Sequence, residues 1–450
     1  MTYKNKVIIV LCEKIVFPGR SLCRCDDGTA LFTEGLLPNE KAEVYVTKDK
    51  KTFREGYVKS IISKSEHRIE PVCPLFNKCG GCSFQNVEYA NQLYYKQQYL
   101  NELLSFTEVN ISPILPNPKI YHYRNKMEFS FFDNGGDIEL GLHYKGSFDR
   151  YVPVSFCFIA DEDFSKAVEI IKEFANKSGL PPYNNKTHNG FFRHLVLRKA
   201  QNNNQFLINI AANAIDEGSD FFNPLIKDLQ SLVQSAYWTC NTKKSDAVIS
   251  DSTKLLFGSP YIVEKLTVGS TDYFFNISPF SFFQTNSSGA EVLYNEALKL
   301  LNPRQDDILL DLYCGTGTIG ISMSRKVKKV IAVEQIRQSV EDAVLNAKIN
   351  KADNIEFFDL TVQDWLKTPS QKFDLIVVDP PRSGLTKDVI NFLIKSDAEK
   401  IIYASCNPST LARDLHLIIE SGKYEIKKIV PVDMFSHTYH IETMVLLEIK

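Results

Sequence analysis

From Phe280 onward the chain alternates short buried strands with amphipathic helices, and few folds accommodate that alternation. Residues 308–313, 330–334, 355–359, 375–379 and 401–404 read as strands. Residues 289–301, 319–324, 339–349, 387–395 and 410–421 read as helices between them. Strands at 426–431 and 443–449 close the series. Strands joined through helices run parallel, so the pattern predicts a doubly wound, mainly parallel α/β sheet. Ligands of such sheets bind at the carboxyl ends of the strands. Three strands carry chemistry at that end. ILLDLYCGTGTIG (308–320) runs a strand into a glycine-rich turn, FDLIVVDPPRSG (373–384) ends a strand at Asp379-Pro380-Pro381-Arg382, and KIIYASCNP (400–408) sets a lone thiol, Cys406, at a strand tip. Any one alone reads as a tight turn or a packed cysteine, because a free Cys usually behaves as a small hydrophobe. Three on one sheet edge read as a site.

Gly315 and Gly317 allow a nucleotide-like ligand to approach the backbone. Glu334, about 20 residues past the turn, stands where an acid takes ribose hydroxyls. Dinucleotide and S-adenosylmethionine enzymes share that device. A nicotinamide enzyme needs neither Asp-Pro-Pro-Arg nor a strand-tip thiol, so the later motifs favour S-adenosylmethionine.

Upstream the grammar differs. Short strands are expected at 6–10, 22–25, 30–32, 41–46 and 55–61, which suggests a small barrel. Its 11 Lys and Arg exceed its 8 Asp and Glu, while the whole chain carries −2. A slightly basic barrel suits nucleic acid and suits an inert module equally well. C-x5-C-G-G-C follows, from Cys73 through Cys79 to Cys82, with Cys157 the best fourth thiol. Glycines between close cysteines let thiolates converge on a cluster or a zinc ion. One tight pair, one cysteine upstream and one distant favour an iron–sulfur cluster over the paired spacing of zinc sites.

Residues 86–106 predict a helix with Val87, Tyr94, Leu100 and Leu104 on its apolar face. Residues 119–270 predict strands at 127–132, 138–144, 194–199, 205–211, 247–250 and 261–266, with a helix at 164–177. Tyr121-His122-Tyr123-Arg124-Asn125-Lys126 interleaves rings and cations. Residues 176–215 hold Lys177, Lys186, Arg193, Arg198 and Lys199 but no acid, which suggests a basic face. No apolar run reaches the roughly 18 residues of a membrane span. Glu13 and Lys14 break the first apolar run, so it is expected as a strand and not a signal peptide. A length of 450 residues suggests about three domains.

In this combination the chain resembles the S-adenosylmethionine-dependent RNA uracil-5-methyltransferases over nearly its whole length. DPPRSG, ASCNP and the terminal His440-Ile441-Glu442 fit in order. The barrel looks like a TRAM domain, an OB-like module, and the four cysteines look like the family's 4Fe-4S site. Both point to the branch that modifies 23S ribosomal RNA more than to the tRNA branch, which lacks them. Met434-Phe435-Ser436 departs from the usual proline after phenylalanine. The resemblance implies a Rossmann-like methyltransferase domain (86–106 and 271–450). It adds a central β-rich domain with the iron–sulfur site (63–85 and 107–270) and a TRAM barrel (1–62). Cys406 would add to uracil C6, C5 would take the methyl group, and Glu442 would then remove the C5 proton. Asp379 would hold the uracil edge. Gln284, Tyr313, Thr318, Glu334 and Asp379 would contact the cofactor, with Thr318 standing where relatives often have Asn. Arg124 would hold a uridine flipped out of a loop or single strand. A monomeric, cytoplasmic enzyme is expected, with no membrane partner.

Four other readings stand beside this one. A tRNA uracil-5-methyltransferase differs only in substrate. An RNA cytosine-5-methyltransferase also uses a cysteine adduct, but in a Pro-Cys context, whereas here Pro408 follows Cys406. A silent RNA-binding module would have no reason to carry Cys406, Glu442 and Asp379 together. A radical enzyme would need C-x3-C-x2-C, which is absent.

Overall fold

A computed structural model describes residues 2–215, 220–244, 250–367 and 371–450. Strands β1 (Val7–Val16), β2 (Arg20–Cys25), β3 (Ala30–Glu34), β4 (Lys41–Asp49) and β5 (Phe53–Ser63) close into a barrel of order β1-β2-β3-β5-β4. Period-2 alternation turns Val10, Cys12, Cys23, Leu31, Val44 and Val46 into its core. All five expected strands are present. β1 runs on to Val16, past the expected end, because a register shift between Cys12 and Lys14 absorbs Glu13 as a bulge.

Helix α1 (Tyr89–Leu103) follows. Val87, Leu100 and Leu104 are buried as expected, but Tyr94 is 52% exposed, and Gln92, Tyr95 and Lys96 turn inward instead. Gln92 and Lys96 meet partners from the far end of the chain, which apolar periodicity cannot register. Lys96 Nζ bonds Asp433 Oδ1 at 2.6 Å.

A second sheet holds β6 (Lys126–Asn134), β7 (Asp137–His143), β8 (Tyr151–Pro153), β9 (Phe192–Ala200), β10 (Gln205–Ala212), β11 (Ser235–Cys240) and β12 (Ser252–Gly258), in the order β12-β11-β10-β9-β6-β7-β8. Helices α2 (Asp163–Lys177) and α3 (Asn223–Leu229) share its core. A ribbon of β13 (Ile262–Val268) and β14 (Thr271–Ile277) leads on. The strand expected at 247–250 lies, but for its last residue, outside the described residues. β8, β11, β12 and β14 carried no clear alternation and were not expected.

The basic face expected over 176–215 does not form. Arg193, Arg198 and Lys199 are buried. Arg193 donates to the carbonyls of Asn241 and Lys243 and lies 3.9 Å over the Tyr183 ring. Arg198 donates to the Ser281 carbonyl, and Lys199 pairs with Asp161 and Asp163. Lys177 and Lys186 pair with Glu173 and Asp149. The neutralising groups come from outside the stretch, so its local charge count misleads.

The remaining chain follows the expected alternation. It runs α4 (Ser287–Leu301), β15 (Ile308–Leu312), α5 (Thr318–Ser324), β16 (Lys329–Glu334), α6 (Arg337–Ile349), β17 (Ile355–Asp359), α7 (Val362–Trp365), β18 (Leu375–Val378) and α8 (Lys387–Lys395). It ends with β19 (Lys400–Ser405), α9 (Pro408–Glu420), β20 (Tyr424–Val432) and β21 (Glu442–Ile449). The sheet order is β17-β16-β15-β18-β19-β21-β20. β15 to β19 run parallel, and β21 returns antiparallel to β19. No described helix is long and apolar enough to cross a membrane.

Candidate active site

Cys406 follows β19 directly. Asn407 caps α9 by accepting from Ser409 N, and Pro408 occupies the first helical turn. The Asn407 side chain also donates to the Arg382 carbonyl at 2.8 Å, tying two strand tips together. The thiol therefore sits between a strand end and a capped helix start, both set by local sequence. Glu442 comes from topology. β21 pairs with β19 so that Ala404 faces Met444 and Ser405 faces Thr443. One more step of that register sets Cys406 opposite Glu442. Opposed residues share a face with Cβ atoms about 5 Å apart.

Electrostatics couple the same groups. Burial pushes the Glu442 carboxyl up to about 8, and the neighbouring Asp379 charge adds to the rise while Arg382 opposes it. Burial also lifts Asp379 to about 7. Cys406 is pushed up to about 11, first by burial, then by the charges of Glu442 and Asp379, with Arg382 again opposing. Arg382 stood in the DPPR motif, but its electrostatic place shows only here. His440, two residues before Glu442, is held down at about 4, chiefly by burial. Near neutral pH it is a neutral imidazole.

Gln284, Tyr313, Thr318 and Asp379 line one cavity. Glu334 supports its floor. One Glu334 oxygen accepts from Gly315 N at 3.2 Å and the other from Ile336 N at 2.9 Å. The turn is conformationally demanding, with Tyr313 at φ +65°, Gly315 at +54° and Gly317 at +78°. A Cβ on Gly317 would stand 3.2 Å from the Ala343 Cβ. Tyr294 and Asp311 also line the cavity. Tyr294 shares a hydrogen bond with Thr318 Oγ1 at 3.0 Å, and Asp311 accepts from Gly320 N at 2.9 Å. The second Asp311 oxygen is buried without a partner, and burial lifts the carboxyl to about 7. Such an orphan acceptor suits a donor on a bound ligand. Asp311 lies inside the glycine-turn motif and could have been singled out as a buried acid at a strand tip. Tyr294 reaches the cavity from α4 and leaves no local signal.

The four cysteines gather elsewhere. Cys73, Cys79, Cys82 and Cys157 line one cavity of about 280 Å³, together with Arg124. Gly81 N donates to the Cys79 sulfur at 3.3 Å and Gln85 Nε2 to the Cys82 sulfur at 3.4 Å. Among the described residues, no three His, Cys, Asp or Glu side chains stand close enough to hold a single metal ion. Arg124 Nε donates to the Lys126 carbonyl at 3.1 Å. Arg124 thus stands with the thiols and not with Cys406, although its charge is felt at His440. Tyr123, in the same aromatic-cationic run, is buried.

Doubly wound sheet, cofactor cavity and strand-tip thiol together are the furniture of a methyltransferase, and the known proteins agree. A family model described as tRNA (uracil-5-)-methyltransferase matches residues 88–450. An uncharacterized RNA methyltransferase of Caldanaerobacter subterraneus is 39% identical over 99% of both chains. One from Thermotoga maritima is 34% identical over 97% of this chain and 98% of its own. The solved Pyrococcus abyssi tRNA (uracil-54, C5)-methyltransferase, in complex with S-adenosyl-L-homocysteine, is 26% identical. It superposes at a TM-score of 0.77 over 97% of this chain and 99% of that one. The protein is an S-adenosylmethionine-dependent RNA methyltransferase. Within that class it belongs to the RNA uracil-5-methyltransferase family.

Proposed function

We propose that the protein forms 5-methyluridine in RNA through Cys406 and Glu442. The observation that carries the reading is that Cys406 and Glu442 adjoin the last β19–β21 pair, Ser405 with Thr443, near enough for the Glu442 charge to act on the thiol, beside the cavity lined by Gln284, Tyr313, Thr318 and Asp379. C5 of uracil is a poor nucleophile. Adding the Cys406 thiolate to C6 gives the ring enolate character with electron density at C5. Asp379 holds the uracil edge. Gln284, Tyr313, Thr318, Glu334 and Asp379 hold the cofactor, whose sulfonium, when bound, supplies an electrophilic methyl group. Glu442 removes the C5 proton of the methylated adduct, the C5–C6 double bond reforms, and the Cys406–C6 bond breaks. A carboxyl lifted to about 8 is a stronger base than an ordinary carboxylate, and its pKa lies close to working pH.

The test is a trap. Glu442→Gln should still form the adduct and transfer the methyl group, then stall as a covalent enzyme–RNA complex visible on a denaturing gel. Removing a general base costs about 10²–10⁴-fold, enough for the complex to accumulate. Cys406→Ala should form no complex, and the double variant should lose it. Wild-type turnover of Glu442→Gln without a covalent species would remove Glu442 as the base.

The substrate is proposed to be 23S ribosomal RNA, from the resemblance of the thiols to a 4Fe-4S site. The thiols fit such a cluster. What supports the reading is that all four line one cavity of about 280 Å³. Transfer RNA is the second reading, favoured by the Pyrococcus enzyme, whose match extends through the barrel. The barrel therefore does not separate the branches. Mapping 5-methyluridine in ribosomal and transfer RNA from a deletion strain decides between them.

A further inference from the structure

Glu442 opens β21, but the nine residues before it (433–441) form a strap with no helix or strand among them. Cys406 is fixed by β19 and the α9 cap, and the cofactor turn by β15 and β16. The strap's place depends on fasteners from other parts of the chain. Asp433 takes Lys96 Nζ at 2.6 Å and the Tyr89 hydroxyl at 2.7 Å. The Met434 carbonyl accepts from Asn286 at 2.7 Å, and Asn117 donates to Ser436 Oγ at 2.9 Å.

His437 is the midpoint, held at φ +64° and stacked on Tyr121 with ring centres 4.4 Å apart. Its amide donates to Gln92 Oε1 at 2.9 Å, and its Nδ1 lies 3.0 Å from Gln92 Nε2. Its carbonyl accepts from Ser83 N and Phe84 N, each at 2.9 Å, directly after Cys82. Gln92, fully buried, also donates to the carbonyls of Phe84 and Val87. One amide side chain therefore locks the turn after the thiols and the strap before Glu442 into a single unit.

We propose that Gln92 is a positioning residue for Glu442, so that losing it slows proton removal and adduct release more than methyl transfer. The inference rests on the reading of Glu442 as the base. A base displaced by about 1 Å can lose about 10²-fold in rate, while the thiol and the cofactor cavity keep their own supports.

The experiment is a single turnover with RNA prebound. Acid quench follows methyl transfer, and a denaturing gel follows decay of the covalent complex. Gln92→Ala should keep cofactor affinity and methyl transfer near wild type and lengthen adduct lifetime by about 10- to 100-fold. If Gln92→Ala does not fold, Gln92→Glu decides, since it keeps the acceptor for the His437 amide and loses the donors. It should show the same selective delay. His437→Asn tolerates positive φ and keeps the backbone bonds, so its adduct should decay at the wild-type rate. Equal loss in both steps, unchanged decay in the Gln92 variants, or slow decay in His437→Asn would overturn the inference. Glu442→Gln runs alongside. If it traps no adduct, the reading of Glu442 falls; if it traps and the Gln92 variants show no selective delay, only this inference falls.

Discussion

At the scale of residues, the site is two acids and a thiol: burial lifts all three, the Asp379 charge adds to the rise at Glu442, and both acids add to the rise at Cys406. In the proposed mechanism Glu442 acts after methyl transfer, which is irreversible, so kcat/KM would report Cys406 and adduct release would report Glu442. Release should rise with pH and level off above about 8. kcat/KM should keep rising beyond that point, because the Cys406 thiol lies at about 11. Glu442→Gln removes an anionic neighbour, so its methyl-transfer limb should move to lower pH; a limb that stays in place would mean the two groups do not feel each other. Stability follows the same sign. Glu442 is raised from 4.5 to about 8 in the fold, so its contribution is present below about 4.5 and lost as pH rises through 8. Glu442→Gln should therefore raise Tm at pH 9 relative to the wild type, by a gain of up to about 5 kcal/mol, and leave it nearly unchanged at pH 4.5. Scanning calorimetry at both pH values checks this. Cys406 and Glu442 each stand out in the sequence by motif. Their opposition does not, because it depends on β21 reversing direction and meeting β19 in one particular register.

At the scale of elements, the doubly wound sheet was legible almost strand by strand, since buried parallel strands are apolar runs bounded by helices. The second sheet was less so. β11 pairs parallel with β10 across a stretch containing α3, and β12 carries mostly exposed residues, so neither shows clear alternation. α1 was placed correctly but its buried face was misjudged by one residue, Tyr94 for Tyr95. The cause is Lys96, a buried cation whose partners, Asp433 and the Phe435 carbonyl, lie on the strap. Burial lowers the Lys96 pKa, and the Asp433 charge opposes that fall. Breaking a buried pair from one side leaves the other charge uncompensated, at about 3–5 kcal/mol. Lys96→Met should cost that much in urea denaturation, and Lys96→Met combined with Asp433→Asn should recover part of it. A single variant within about 1 kcal/mol of wild type would show that the pair contributes little.

At the scale of the whole molecule, the chemistry is divided between two cavities with different walls. The thiol cavity takes its walls from residues 73–85, from Arg124 to Glu128 and from 142–159. The cofactor cavity takes its own from 282–319 and Asp379. We propose that this division follows the three units 1–62, 63–85 with 107–270, and 86–106 with 271–450. The tight C-x5-C-G-G-C run was visible in the sequence, and Cys157 was legible only as the best remaining thiol. The structure lines all four along one cavity. Anaerobically purified protein should then be brown and carry about four irons per chain. Cys157→Ser should lose the iron. It should still bind S-adenosylhomocysteine in calorimetry with wild-type affinity, because no wall of the cofactor cavity comes from the thiol region. Methyl transfer moves no electrons, so reducing or oxidising the metal centre without dismantling it should leave turnover unchanged. One zinc and no iron would overturn the cluster assignment and leave the Cys406 chemistry untouched. Loss of cofactor binding together with the iron would show instead that the two places fold as one unit.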